Sequence, residues 1–385
     1  MIKLIKSTFF EESKTKKKLA SFVLKATTLS MHEHCAAFEK AFAKKQGRKY
    51  AIFVNSGSSA NLILLQALLN KGLLRRGDRV GFSALTWATN VMPIIQLGLV
   101  PIPVDCSRET LNISPQTLDG ALHGMKALFL TNVLGLADDL PRITELCRAK
   151  KVILLEDNCE ALGSKIGRTM LGNFGLAATF SFYVGHHLST IEGGMVVTDD
   201  QALASELCMT RAHGWDRNLP PKEAKKIQKN SNDFFSLYTF YDLAYNVRPT
   251  EIQGFLGCTQ LPYWATIVAK REHNFCAFQK AARENADFLP VKTDHMCVVS
   301  NFAFPVICKS PEIFSKYLKR FKKANVEVRP IIAGNITQQP FYRKYNAATG
   351  SNPNAEYIHN CGFYFGNNPE LTGKEVATLC GLLSS

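Results

Sequence analysis

Two adjacent imidazoles, His186 and His187, sit in the stretch TFSFYVGHHLSTIEGGMVVT, residues 179–198. The stretch reads as a buried run closing at Ser181, an exposed polar turn, a Glu-Gly-Gly turn and a second apolar strand. Imidazole titrates near neutrality, so a histidine here can take up and return a proton during a reaction. It can equally be a hydrogen-bonded structural residue, and His187 reads as a group that orients its neighbour. An acidic group closes the apolar run KVILLED at Asp157, followed by Asn158, Cys159 and Glu160. A carboxylate at the end of a buried strand is costly to desolvate unless a cation or donors meet it. Two partners suit Asp157: a heteroaromatic nitrogen that must stay protonated, or the N–H groups of a helix start.

The run AIFVNSGSSANLILLQALL reads as strand, small-residue turn and amphipathic helix. Gly57, Ser58 and Ser59 can bring N–H groups and hydroxyls to the helix N-terminus, where the dipole favours a phosphate; a plain N-capped turn fits as well. The turn lacks both GK[ST] and GxGxxG, so it is neither of the common nucleotide loops. Trp87 follows another apolar run, in RVGFSALTWATN, as either a buried anchor or a ring that stacks on a flat ligand.

These groups need a scaffold. RVGFSALTWATN, PIPVDC and KALFLTNVLG alternate with helical patterns, the signature of parallel strands with crossover helices and a site at the strand C-terminal ends. The first forty-odd residues read as helical, with Leu19, Phe22 and Val23 on one face and Phe38, Ala41 and Phe42 on another. From Pro249 a long helical pattern runs towards Phe288 and leads out of the large unit. The rest reads as a smaller α+β domain: strand SNFAFPVI, helix PEIFSKYLKRFKKAN, strand VEVRPI and a terminal helix with Val376, Leu379 and Leu382 on one face. The expected division is 1–250, 251–290 and 291–385. Residues 219–242, lysine- and asparagine-rich and then aromatic, read as a flexible stretch that orders near a subunit interface or a substrate.

With 385 residues, more than one domain is the default. Eleven cysteines without a CxxC or CxC read as reduced thiols, with no metal site expected. The first residues lack a secretory pattern and no apolar run matches a membrane span, so the expected compartment is the cytoplasm. The formal charge of +14 is spread over KTKKK, KEAKK and KRFKK, which read as solvated helix faces and not as a nucleic-acid patch. A diffuse positive field favours anionic small substrates.

NSGSSANL, the Trp87 turn, LLEDNCEALGS, SFYVGHH and the EGG turn, in that order, resemble the sugar aminotransferases of the DegT/DnrJ/EryC1/StrS group. The resemblance covers nearly the whole chain. It implies an α/β chain of the aspartate aminotransferase type (fold type I), with a large mixed-sheet domain and a smaller C-terminal α+β domain, that uses pyridoxal phosphate. In most of that group the position of His186 holds the lysine that binds the cofactor as a Schiff base. Histidine there, with RAHGWDRNLP (211–220), YNVRPTEIQG (245–254) and VRPIIAGN (328–335), is similar to the sugar 3-dehydratase branch. The related iron–sulfur dehydratases carry closely spaced cysteines that this chain lacks, so no cluster is expected.

The resemblance implies untethered pyridoxal or pyridoxamine phosphate, L-glutamate as amine donor and a nucleotide-diphospho-sugar as substrate, a GDP-4-keto-6-deoxyhexose such as GDP-4-keto-6-deoxy-D-mannose. His186 is the implied base and Asp157 the partner of the ring nitrogen. Gly57, Ser58 and Ser181 would hold the cofactor phosphate, Trp87 would stack on the ring and Glu160 would lie beside it. Asn246 would reach the phosphate of a neighbouring subunit, making a homodimer with shared active sites. Arg248 and Arg329 would bind glutamate or the diphosphate, and His213 would be a further substrate-binding residue, with a packing role as the other reading. Two other readings are an aminotransferase using another lysine and a non-catalytic cofactor-binding regulator. Lys165, only eight residues after Asp157, falls far short of His186 as a substitute.

Overall fold

Seven apolar runs of five to seven residues form the main sheet: β1 (Tyr50–Val54), β2 (Arg79–Ser83), β3 (Val100–Val104), β4 (Met125–Thr131), β5 (Ile153–Asp157), β6 (Ala177–Ser181) and β7 (Gly194–Thr198). The structure is a computed structural model that describes residues 1–228, 233–236, 238–345 and 350–384. The strand order is β1-β7-β6-β5-β4-β2-β3. All neighbours involving β2 to β6 alone are parallel, whereas β7 runs antiparallel to both β1 and β6. The simple parallel alternation therefore gives way at β7, because residues 182–193 return the chain without a crossover helix.

Register sets the site. Asp157 pairs with Thr131 of β4 and Thr179 of β6, while Gly194 faces both Ser181 and Val54. The C-terminal ends of β1, β4, β5 and β6 thus share one edge, where the loops that follow them meet. Helix α1 (Glu12–Lys25) and helix α2 (Glu33–Gln46) precede the sheet, and α3 (Gly57–Asn70) and α4 (Ala88–Gln96) follow β1 and β2. Helix α3 is apolar nearly all round, with Ala60, Ile63, Leu64, Leu65, Ala67 and Leu68 buried, as expected of a helix enclosed on more than one side. In α1, Phe22 stacks on Phe255 at 4.3 Å, while Val23 on the same expected face is exposed.

The turn after β6 is held by aromatic packing. Phe182 lies 5.0 Å from Phe38 and 5.2 Å from Phe42, and Phe53 of β1 closes the group at 5.0 Å from Phe38. Such pairs are worth about 0.5–1.5 kcal/mol each beyond burial. The turn is not the exposed one expected: His187, Leu188, Ser189 and Thr190 are buried.

The expected long helix is two. Helix α5 (Glu251–Gln260) ends in a 3₁₀ turn at Leu261–Tyr263, and α6 (Trp264–Arg283) begins beyond it, stopping short of Phe288. Pro262 has no N–H to continue the first helix. A four-stranded antiparallel sheet follows, with β8 (Phe288–Leu289), β9 (Ala303–Cys308), β10 (Val328–Pro330) and β11 (Gly362–Gly366) in the order β8-β9-β11-β10. Helices α7 (Pro311–Lys323) and α8 (Gly373–Leu383) belong to this part; the latter buries Leu379 and Leu383, whereas Leu382 is only partly buried. The first residues of the chain return here: Ile2 bridges Val326, and the Leu4 N–H donates to Glu327 Oε2 at 3.0 Å. Within the stretch expected to be flexible, residues 221–227 and 233–236 are helical, and 229–232 and 237 lie outside the described residues. Among the described residues no helix is long and apolar enough to cross a membrane, and no group of three metal-ligating side chains occurs.

Candidate active site

A cleft of about 390 Å³ opens at the shared strand edge. Its walls include Gly57, Ser58, Trp87, Asp157, Glu160, Ser181, His186 and Arg329, so the structure brings eight of the expected site residues together. No lysine lines it among the described residues, and Lys165 instead bridges Val298 at the edge of a separate two-stranded sheet.

Each group is placed by its element. Ser56 caps α3 by accepting from the Ser59 N–H at 3.1 Å, which leaves the N–H groups of Gly57 and Ser58 as first-turn donors. Gly57 is needed there, because a Cβ would sit 2.8 Å from Ser181 Cβ and 2.9 Å from Cys159 Sγ. The Ser181 hydroxyl, at the end of β6, accepts from the Tyr183 N–H at 3.2 Å. Trp87 stands at the start of α4 with 55% of its surface exposed, which removes the buried-anchor reading in the isolated chain.

Asp157 is buried, and its two oxygens have separate partners. One accepts from Asn61 Nδ2 of α3 at 2.9 Å and the other from the Cys159 N–H at 2.9 Å. The helix-start reading is thus met in part by a two-residue turn, while the cleft lies against the same side chain. Glu156 points to the opposite face and is satisfied by the N–H groups of Gly172, Phe174 and Gly175. That arrangement explains how a second carboxylate stays buried one residue away. Glu160 accepts from the Leu134 N–H at 2.7 Å. Burial first, then the neighbouring Asp157 charge, push its carboxyl up to about 8, against the pull of the Leu134 bond.

His186 separates the cleft from a smaller cavity behind it. Its ring packs at 5.3 Å from Phe302 and 5.7 Å from Tyr183, and its Nδ1 is buried with no partner among the described residues. Burial, helped by the Arg271 charge, lowers its pKa to about 4. The imidazole is therefore a neutral base near neutral pH, and its ordinary value does not survive folding. His187 faces away from the cleft, with Nε2 donating to the Ser300 carbonyl at 2.8 Å.

Three expected residues lie elsewhere. Asn246 bridges Ala212 and accepts from Arg248 Nε at 3.0 Å; Arg248 also lies 5.5 Å over the Trp215 ring, beside which His213 packs at 4.8 Å. Together they form a surface cluster that is not part of the cleft of the same chain. Arg329 lines the cleft while donating to Glu327 Oε1 from two nitrogens, at 3.2 and 2.6 Å. This bond above all raises the Arg329 pKa.

Sequence reasoning missed Asn61, Glu327, Phe302, Tyr364 and Arg271. Asn61 could have been found, since it falls four residues after Gly57 and so on the same helix face. Arg271 carries no such signal: in α6 it looks like any surface arginine, yet it is 3% exposed.

The residues fit pyridoxal phosphate by their own chemistry. The two first-turn donors would suit a phosphate, the flat exposed indole a ring, and the buried carboxylate a ring cation. The Asn90 Nδ2, on a residue of the cleft wall, is a buried donor with no partner among the described residues. Sheet order and site together define a protein of the aminotransferase fold whose cleft carries His186 and, among the described residues, no lysine.

The chain belongs to the DegT/DnrJ/EryC1/StrS aminotransferase family, whose model matches residues 11–384. It is 34% identical to the GDP-4-keto-6-deoxy-D-mannose 3-dehydratase of Yersinia pseudotuberculosis, over 94% of this chain and 93% of that one. The enzyme of the same name from Escherichia coli O55:H7 is 36% identical, over 90% of each chain. A crystal structure of GDP-4-keto-6-deoxymannose-3-dehydratase with a trapped PLP-glutamate geminal diamine superposes with a TM-score of 0.92 at 33% identity, covering both chains completely.

Proposed function

We propose that this protein removes the C3 hydroxyl of a GDP-4-keto-6-deoxyhexose, with GDP-4-keto-6-deoxy-D-mannose as the substrate. It uses untethered pyridoxal/pyridoxamine phosphate and L-glutamate, and it releases 2-oxoglutarate and ammonia. One observation carries the reading: His186 lines the cleft, and among the described residues no lysine does. The two relatives and the solved structure named above support the substrate, the cofactor and glutamate.

When bound, the cofactor supplies an amine and an electron sink. Gly57, Ser58 and Ser181 hold its phosphate, Trp87 covers the ring and Asp157 keeps the ring nitrogen protonated. Imidazole moves protons but forms no stable Schiff base, so His186 works as a base and leaves the cofactor free. Its acquired proton goes to the leaving hydroxyl of sugar C3. The phosphate and diphosphate charges would favour that protonated form, against the burial that disfavours it. Arg329 takes a carboxylate or diphosphate group by giving up part of its bond to Glu327. Glutamate supplies the two electrons that replace the C3 oxygen.

Asn246, Arg248 and His213 serve the cleft of a neighbouring subunit in a homodimer, which accounts for their position outside their own. The protein works in the cytoplasm, and its dideoxysugar product serves colitose assembly for a lipopolysaccharide O-antigen. The working division is a large cofactor domain to about residue 250, the helices to about 290 and a small domain beyond.

The test incubates the protein with pyridoxal phosphate, L-glutamate and GDP-4-keto-6-deoxy-D-mannose. Equal ammonia and 2-oxoglutarate with a product one oxygen lighter is the expected result; an amino sugar without ammonia would make the protein an aminotransferase.

A further inference from the structure

Behind the histidine pair lies a second cavity of about 20 Å³, with His186, His187, Ser189 and Arg271 in its wall. That volume suits one water molecule, which needs two to four polar partners. Three buried nitrogens of its wall residues have no partner among the described residues: Arg271 Nε, His187 Nδ1 and His186 Nδ1. Their chemistry is complementary. The Arg271 Nε–H can only donate. His187 Nε2 bonds the Ser300 carbonyl, which can only accept, so the proton is on Nε2. Burial keeps that ring uncharged, so His187 Nδ1 offers a lone pair.

We propose that one water in this cavity accepts from Arg271 Nε and His186 Nδ1 and donates to His187 Nδ1. His186 is thereby fixed as the tautomer whose Nε2 lone pair serves the cleft. The proposal rests on the reading of His186 as the base. Arg271 and His187 are positioning residues for it. Arg271 holds the backbone as well, donating to the His186 carbonyl at 3.0 Å and to the carbonyls of Asn301 and Asn367. The bonds it makes among the described residues all go to carbonyls, and its Nε–H is left for the water. A base whose proton can sit on either nitrogen would spend part of its time with its lone pair turned from the substrate; this water removes that fraction.

The tautomers are read by long-range ¹H–¹⁵N correlation on the histidine-labelled protein without cofactor, with His186→Gln and His187→Gln spectra assigning the signals. The expected result is a proton on His186 Nδ1 and on His187 Nε2, with ordered water density in the cavity of a high-resolution crystal structure. Arg271→Met should empty the cavity and mix the two tautomers of His186. A His186 proton on Nε2, or no water in the wild-type cavity, overturns the proposal. If Arg271→Met fails to fold, the wild-type spectrum and density decide alone. None of these readouts uses the sugar, so an amino-sugar product would overturn the dehydratase reading and leave the water site standing.

Discussion

His186 binds the site's chemistry to its stability. An unfolded histidine titrates near 6.5, whereas burial holds the folded one at about 4. Between those values the unfolded chain binds the extra proton, so stability is complete above pH 6.5 and falls as pH drops towards 4. The difference amounts to about 3 kcal/mol at most by linkage. His186→Gln should remove this slope: thermal melting of variant and wild type would run parallel above pH 6.5 and converge or cross below it. Parallel curves down to pH 4 would show that His186 is solvated. Glu160 has the opposite sign, since its carboxyl is raised to about 8 and its contribution fades as pH rises from 4.5 to 8. At this scale the sequence exposed the groups that end strands, Asp157 and Ser181, and the odd histidine, because strand ends and turns have local signatures. It hid Arg271 and Glu327, whose roles come from partners distant in sequence.

The turn at Ser56–Ser59 depends on two glycines in different elements. Gly57 faces side chains of Ser181 and Cys159, which can yield a little. Gly194 of β7 faces backbone: a Cβ would lie 2.1 Å from the Ser56 carbonyl oxygen and 2.6 Å from the Gly57 nitrogen. Gly57→Ala should cost roughly 1–3 kcal/mol, the usual range for overpacking. Gly194→Ala should cost more and should also weaken pyridoxal phosphate binding, because the backbone carrying the donors must move. Urea midpoints and the absorbance of bound cofactor check both, and equal losses would mean the turn is not braced by β7. Strands β1 to β6 were readable as apolar runs between turns. The reversal at β7 was not, since period and composition carry no direction, and the break at Pro262 was obscured by helical periodicity on both sides.

At the scale of the whole chain, the cleft and the Asn246–Arg248–His213 cluster lie apart. If each subunit lends that cluster to its neighbour, His186→Ala and Asn246→Ala damage different halves of one site. Co-refolded mixtures of the two inactive variants should then regain dehydratase activity that neither has alone; no recovery would confine the site to one chain. The order in which the cleft can be finished follows from its rim. Leu4 and Ile5 line it, and Leu4 is tied to Glu327, the partner of Arg329. Leu4 must therefore wait for a residue more than 320 positions later in the chain, a closure whose entropy is spent before any contact repays it. A nascent chain can fold its main sheet early, but the cleft is complete only after synthesis has passed residue 329, so ribosome-bound intermediates carry it unfinished.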